Sequence, residues 1–87
     1  MRRVTICNRK GLHARAAAKF VACAQSFDAE VLVAKDNEKV QADSIMELLM
    51  LSASQGTEIE IEAHGQDAEP AISALCELVE AGFHEVD

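Results

Sequence analysis

The stretch TEIEIEAHG, residues 57–65, alternates apolar and charged positions with almost no error. Ile59, Ile61 and Ala63 share one side, and Glu58, Glu60, Glu62 and His64 share the other. Successive strand side chains point to opposite faces, so such a segment buries one face and wets the other. That pattern suits an antiparallel sheet covered on one side only. The chain has 87 residues, enough for one domain with a modest core. Whatever covers the dry face must therefore come from the rest of this short sequence.

Two further segments read as strands and three as helices. RRVTICN, residues 2–8, places Val4 and Ile6 on one face. EVLVAKDNEKVQA, residues 30–42, reads as a hairpin, with VLVA and VQA as its arms and KDNEK as the connection. From Ala14 to Phe27 the period changes: Ala17, Phe20, Val21, Ala24 and Phe27 recur at three- and four-residue steps, one buried helical face. In DSIMELLMLSASQG, Ser44 and Glu47 form an S-x-x-E capping box, and Gly56 ends the segment. The last helix, in QDAEPAISALCELVEAG, has Asp67 as N-cap, Pro70 in its first turn and Ile72, Leu75, Cys76 and Val79 as its inner stripe. The order is β-α-β-β-α-β-α. An α+β fold with helices stacked on one face of an antiparallel sheet is the simplest layered solution.

Charge and cysteines narrow the function. The net charge is −7, yet residues 1–27 hold six basic residues and no acid, while all fifteen acids lie in residues 28–87. Overall acidity argues against nucleic-acid binding. No apolar run approaches the ~20 residues of a membrane span, and no signal peptide is evident, so a cytoplasmic location is expected. Cys7, Cys23 and Cys76 are odd in number and irregularly spaced, which suits neither a disulfide framework nor a zinc site. They read as small buried apolar groups.

The basic segment surrounds one histidine, in NRKGLHARAAAKF. His13 stands two residues after Gly11 and directly before the first helix. A neutral imidazole nitrogen is a nucleophile near neutral pH. Attack on a phosphoryl group would leave about two negative charges beside the ring, and the free N–H groups and dipole of a helix start favour such charge. Arg15 can offer its planar fork to phosphate oxygens. Gly11 allows a sharp turn that projects the ring. No Walker loop and no hydrolytic triad accompany this histidine, so the group would arrive from one protein and leave to another. His64 and His84 read as ordinary surface residues.

GLHARAAAKF together with ADSIMELLMLSASQGTEIEIEAHG resembles the histidine-containing phosphocarrier, HPr, of the bacterial phosphoenolpyruvate-dependent sugar phosphotransferase system. The resemblance runs from about Val4 to Val79 and implies an open-faced β-sandwich: a four-stranded antiparallel sheet with three helices on one face, residues 1–87 forming a single domain of this kind. It implies that His13 accepts a phosphoryl group on Nδ1 from phosphoenzyme I, that Arg15 contacts the phosphate, and that a IIA protein or domain receives it. Ser44 matches a regulatory serine modified in some bacteria by an HPr kinase/phosphorylase. Ile45, Met46 and Leu49 match an apolar partner-binding patch. A monomeric carrier is implied, with no cofactor, metal, nucleic acid or membrane partner, and not an enzyme in its own right. Ala16 stands where the family usually has proline, and Glu47 where it usually has a small or basic residue. A nitrogen-branch regulatory paralogue of the same system stays open beside the sugar branch. So do an interaction module that never carries phosphate and a small domain that senses an anionic metabolite at the basic loop.

Overall fold

The structure, a computed structural model, describes residues 1–85. Its sheet has strands β1 (Arg2–Thr5), β2 (Glu30–Lys35), β3 (Glu38–Gln41) and β4 (Glu58–His64). They lie in the order β1-β4-β2-β3, and every neighbouring pair is antiparallel. The helices are α1 (Ala14–Gln25), α2 (Ile45–Met50) and α3 (Ala68–Glu80), followed by a short 3-10 turn, Gly82–His84. The open-faced arrangement expected from the alternation is the one observed. Val33 pairs with Ile61 across β2 and β4, and Val4 with Ile59 across β1 and β4; all four side chains are buried. On the wet face Arg3 reaches Glu60 at 3.0 Å and Lys39 reaches Glu62 at 3.2 Å.

The helices close the dry face. Phe20 of α1, Leu48 of α2 and Leu75 of α3 are fully buried, in one cluster with the strand residues. Full burial of a side chain of this size stabilises by roughly 1.5–3 kcal/mol before entropy costs. Cys76 is buried and Cys23 half-buried, as their apolar reading requires, but Cys7 is exposed. Its thiol donates to the Val79 and Glu80 carbonyls at the end of α3. All three are free thiols.

Two helix ends and two caps differ from what the sequence pattern predicts, each because of identifiable hydrogen bonds. α1 ends at Gln25, not Phe27, because the Ser26 hydroxyl donates to the Cys23 carbonyl at 2.6 Å and its N–H bonds the same carbonyl at 3.2 Å. α2 ends at Met50 although the pattern runs on towards Gly56. Ser52 is left-handed, with φ of 54°, and Lys35 Nζ donates to the carbonyls of Leu51 and Ser52 at 2.9 and 3.3 Å. Asp67 occupies the N-cap position of α3 without capping it; its carboxylate accepts from the Asp28 N–H at 2.8 Å and ties the α3 start to the end of α1. Only the serine half of the Ser44–Glu47 box forms: Ser44 Oγ accepts from the Glu47 N–H at 3.3 Å.

Early termination of α2 frees residues 53–57 to pair with the loop that precedes α1. The Leu12 N–H donates to the Ala53 carbonyl at 2.8 Å, Gly56 N–H to Ile6, and Ile6 N–H to Thr57. Gly11 has φ of 68°, and a Cβ there would lie 2.7 Å from the Ala53 oxygen and 2.8 Å from Ser54 Cα. Both obstacles are backbone, so neither can rotate away. Gly11→Ala is expected to cost about 2–3 kcal/mol, combining left-handed strain with displacement of residues 53–54. A lower urea midpoint at unchanged slope would show it; an unchanged midpoint would mean that the loop yields freely.

Candidate functional site

His13 itself starts α1. Its backbone is extended, with φ −83° and ψ −177°, and its Nδ1 accepts from the Arg15 N–H at 3.3 Å. N-cap positions usually carry Ser, Thr, Asp or Asn, whose short side chains reach the same donors. Here an imidazole nitrogen takes that place, directed at the positive end of a twelve-residue helix. The turn at Gly11 delivers it there, since the His13 N–H closes back on the Gly11 carbonyl at 3.0 Å.

The other ring nitrogen has a partner 72 residues away. His13 Nε2 meets the carboxylate of Glu85 in a very short contact. The Glu85 side chain is only 9% exposed, and that of His13 is 24%. Glu85 Oε1 also accepts from Asn8 Nδ2 at 3.0 Å, and the same amide group donates to the Gly11 carbonyl at 2.8 Å. The hydrogen bond with His13 first, and that from Asn8 second, holds the Glu85 carboxyl below the usual carboxylate range.

The chain reaches this position through a left-handed turn. Gly82, Phe83 and His84 have φ of 65°, 57° and 58°. A non-glycine residue in that region costs roughly 1–3 kcal/mol. Full burial of Phe83 offsets this, and so does Lys19, whose Nζ donates to the Phe83 carbonyl at 2.6 Å. Lys19 therefore anchors the C-terminal turn, a different use from the anion field that its charge suggests. Arg15 is exposed, and its guanidinium has no intramolecular partner among the described residues.

The other anticipated residues lie on α2, which packs against α1. Ser44 is its N-cap and half-buried. Ile45 is 39% exposed and Met46 71%, whereas Leu49 is half-buried against the core. Met50, at 70% exposed, joins the apolar surface instead and was not picked out from the sequence. Ala16 is fully buried, so its side chain is a packing residue at the α1–core contact. His64 is bonded to Glu62 at 2.5 Å on the wet face of the sheet, and His84 is exposed. Asn8 and Glu85 were also missed. The one available signal was Phe83, an isolated aromatic after the helix-ending Gly82, which requires the tail to fold back onto the core.

A family model described as the phosphotransferase-system HPr component phosphorylation site matches residues 1–81. The chain belongs to the HPr family. It is similar to phosphocarrier protein NPr of Shewanella violacea, 48% identical over 97% of this chain and 92% of that one. Phosphocarrier protein HPr of Neisseria meningitidis serogroup A is 45% identical over 94% and 92%. Among solved structures, HPr of Thermoanaerobacter tengcongensis superposes with a TM-score of 0.91 at 46% identity, covering both chains completely. HPr of Bacillus anthracis gives 0.86 at 41% identity, over 90% of this chain and 93% of that one. This HPr-family protein is thus a phosphocarrier of the phosphotransferase system, a carrier rather than a catalyst. No described helix is long and apolar enough to cross a membrane.

The depressed Glu85 carboxyl has a consequence for stability. Its contribution is fully present above the unfolded carboxyl value of about 4.3 and is lost as pH falls through the lowered folded value. Glu85→Gln is expected to lower the melting temperature at pH 7, with the gap to wild type closing as the solution is acidified. A gap that stays constant with pH would show that the carboxylate charge adds nothing.

Proposed function

We propose that this chain carries a phosphoryl group on Nδ1 of His13. The supporting observation is the division of labour around the ring: Nε2 is engaged by Glu85, while Nδ1 faces the N-terminus of α1. With the ring proton on Nε2, the lone pair available for attack is that of Nδ1. That lone pair attacks the phosphorus of a phosphorylated donor protein. The N–P bond forms as the donor's bond to phosphorus breaks, and the bonding electron pair stays with the donor. Onward transfer is the same displacement with this chain as donor. Free N–H groups of the first turn and the Arg15 fork receive the phosphoryl oxygens. The residues needed for both directions are already on the surface, as a carrier with two partners requires.

The donor in this reading is enzyme I and the acceptor a IIA protein or domain. Ile45, Met46 and Met50 form the exposed apolar surface on which they dock, with Leu49 supporting it from below. Flexible methionines suit a surface that must fit more than one partner. Ser44 is in this reading a regulatory site as well as a cap. A phosphate there is compatible with the helix N-terminus but places about two negative charges beside the docking surface. Relatives named NPr and HPr match at similar identity, so the carrier role is common to both branches. Parallel transfer assays with IIA proteins of the sugar and nitrogen branches would assign the chain to one of them.

Incubation with enzyme I and phosphoenolpyruvate is expected to place an acid-labile, base-stable phosphoryl group on the wild type and none on His13→Ala. A wild type that stays unmarked beside a competent enzyme I would overturn the carrier reading and favour a non-carrier interaction module. Arg15→Ala is expected to slow transfer about tenfold, equivalent to about 1.4 kcal/mol and typical of one charge-assisted hydrogen bond. Ser44→Asp is expected to weaken binding to enzyme I about tenfold while shifting the melting temperature by only a few degrees. A normal binding constant would reduce Ser44 to a helix cap.

A further inference from the structure

We propose that Asn8 is a positioning residue for the nucleophile, acting through Glu85 to hold the His13 ring in one tautomer and one plane. The inference deepens the carrier reading and rests on it for its effect on transfer.

Asn8 is the one buried polar residue among those described, at 6% exposed. Both protons of its amide are committed, one to the Gly11 carbonyl at 2.8 Å and one to Glu85 Oε1 at 3.0 Å. Its Oδ1 is buried and has no hydrogen-bond partner. A side chain that only filled space or closed the turn would not need to leave a buried acceptor unpaired. The orientation is set by its two acceptors: turning the amide over would aim an oxygen at a carbonyl and a carboxylate together.

The geometry makes Asn8 a clamp between two segments that the chain keeps far apart. On one side is the loop carbonyl whose turn delivers His13. On the other is the carboxylate at the end of the left-handed C-terminal turn. Glu85 would otherwise be free to rotate about its own side-chain bonds. With Oε1 held by Asn8, its second oxygen, Oε2, is left facing His13 Nε2. A carboxylate in that position keeps the proton on Nε2 and the lone pair on Nδ1, the role that second partners of histidine commonly play.

Asn8→Asp tests the donors rather than the shape, because it replaces the amide group by an acceptor facing two acceptors. It is expected to slow phosphoryl transfer from enzyme I more than Asn8→Ala does, and Asn8→Ala by about three- to tenfold. Nitrogen-15 NMR of the unphosphorylated protein gives the direct readout. Wild type is expected to show a single Nε2–H tautomer of neutral His13, and both Asn8→Ala and Glu85→Ala a mixture with the Nδ1–H form. In a double-mutant cycle, adding Asn8→Ala to Glu85→Ala is expected to slow transfer no further, because the link from Asn8 to the ring is already cut. Glu85 lies outside the hydrophobic cluster, and the tautomer of each Asn8 variant is read only under conditions where its spectrum shows it folded. An unchanged tautomer in Asn8→Ala, or losses that multiply in the double variant, would overturn the positioning role and leave Asn8 a loop-closing residue. A wild type that takes no phosphoryl group would instead overturn the carrier reading, and the tautomer measurement, which needs no donor protein, would still decide the part played by Asn8.

Discussion

The hydrogen bond from the Leu12 N–H to the Ala53 carbonyl, 2.8 Å long, is the contact on which the His13 end of the molecule depends. It joins the loop before α1 to the chain that leaves α2. Gly11 is pressed so close to Ala53 and Ser54 that no side chain fits. The contact is open to residue 53 because α2 stops early, with Lys35 covering the carbonyls left open by its ending. His13 is then carried to the start of α1 with its ring over the helix terminus. The end of α2, the turn at Gly11 and the direction of His13 thus meet in one packed junction.

A second constraint comes from the far end of the chain. Residues 82–84 are held in a left-handed turn that is unfavourable by itself. Burial of Phe83 and the Lys19 hydrogen bond make it the stable arrangement. The turn places Glu85 against His13, while Asn8 ties Glu85 to the opposite loop. His13 is thus bounded on one side by the N-terminus of α1 and on the other by the Glu85 carboxylate. Arg15 stays outside this network, exposed and with its guanidinium uncommitted among the described residues.

Much of this was legible in the sequence because it follows from periodicity. The alternation at Glu58–His64 required a half-wet antiparallel sheet, and the three- and four-residue spacing of Ala17, Phe20, Val21 and Ala24 required a helix lying on it. The sequence also put His13 beside a helix start with a basic neighbour. Where it misled, a few side-chain hydrogen bonds outweighed a continuing pattern. The Ser26 hydroxyl ended α1, Ser52 and Lys35 ended α2, and the Asp67 carboxylate turned from its own helix to Asp28. Leu49, expected in an apolar patch, is half-buried against the core, and Met50, for which the sequence carried no expectation, is exposed.

The sequence by itself determined the layers, the order of strands and helices along the chain, and the presence of one histidine at a helix N-terminus. These are local matters, decided by the period of apolar residues and by the conformational freedom of glycine. Only the tertiary structure decided what meets His13 Nε2. Asn8, His13 and Glu85 meet because β1 and the end of α3 lie side by side, with the Cys7 thiol bonded to the last carbonyls of α3. Contacts across 72 and 77 residues leave no periodic trace. They arise when the sheet is paired and Phe83 is drawn into the core, and that packing carries the Glu85 carboxylate to the His13 ring.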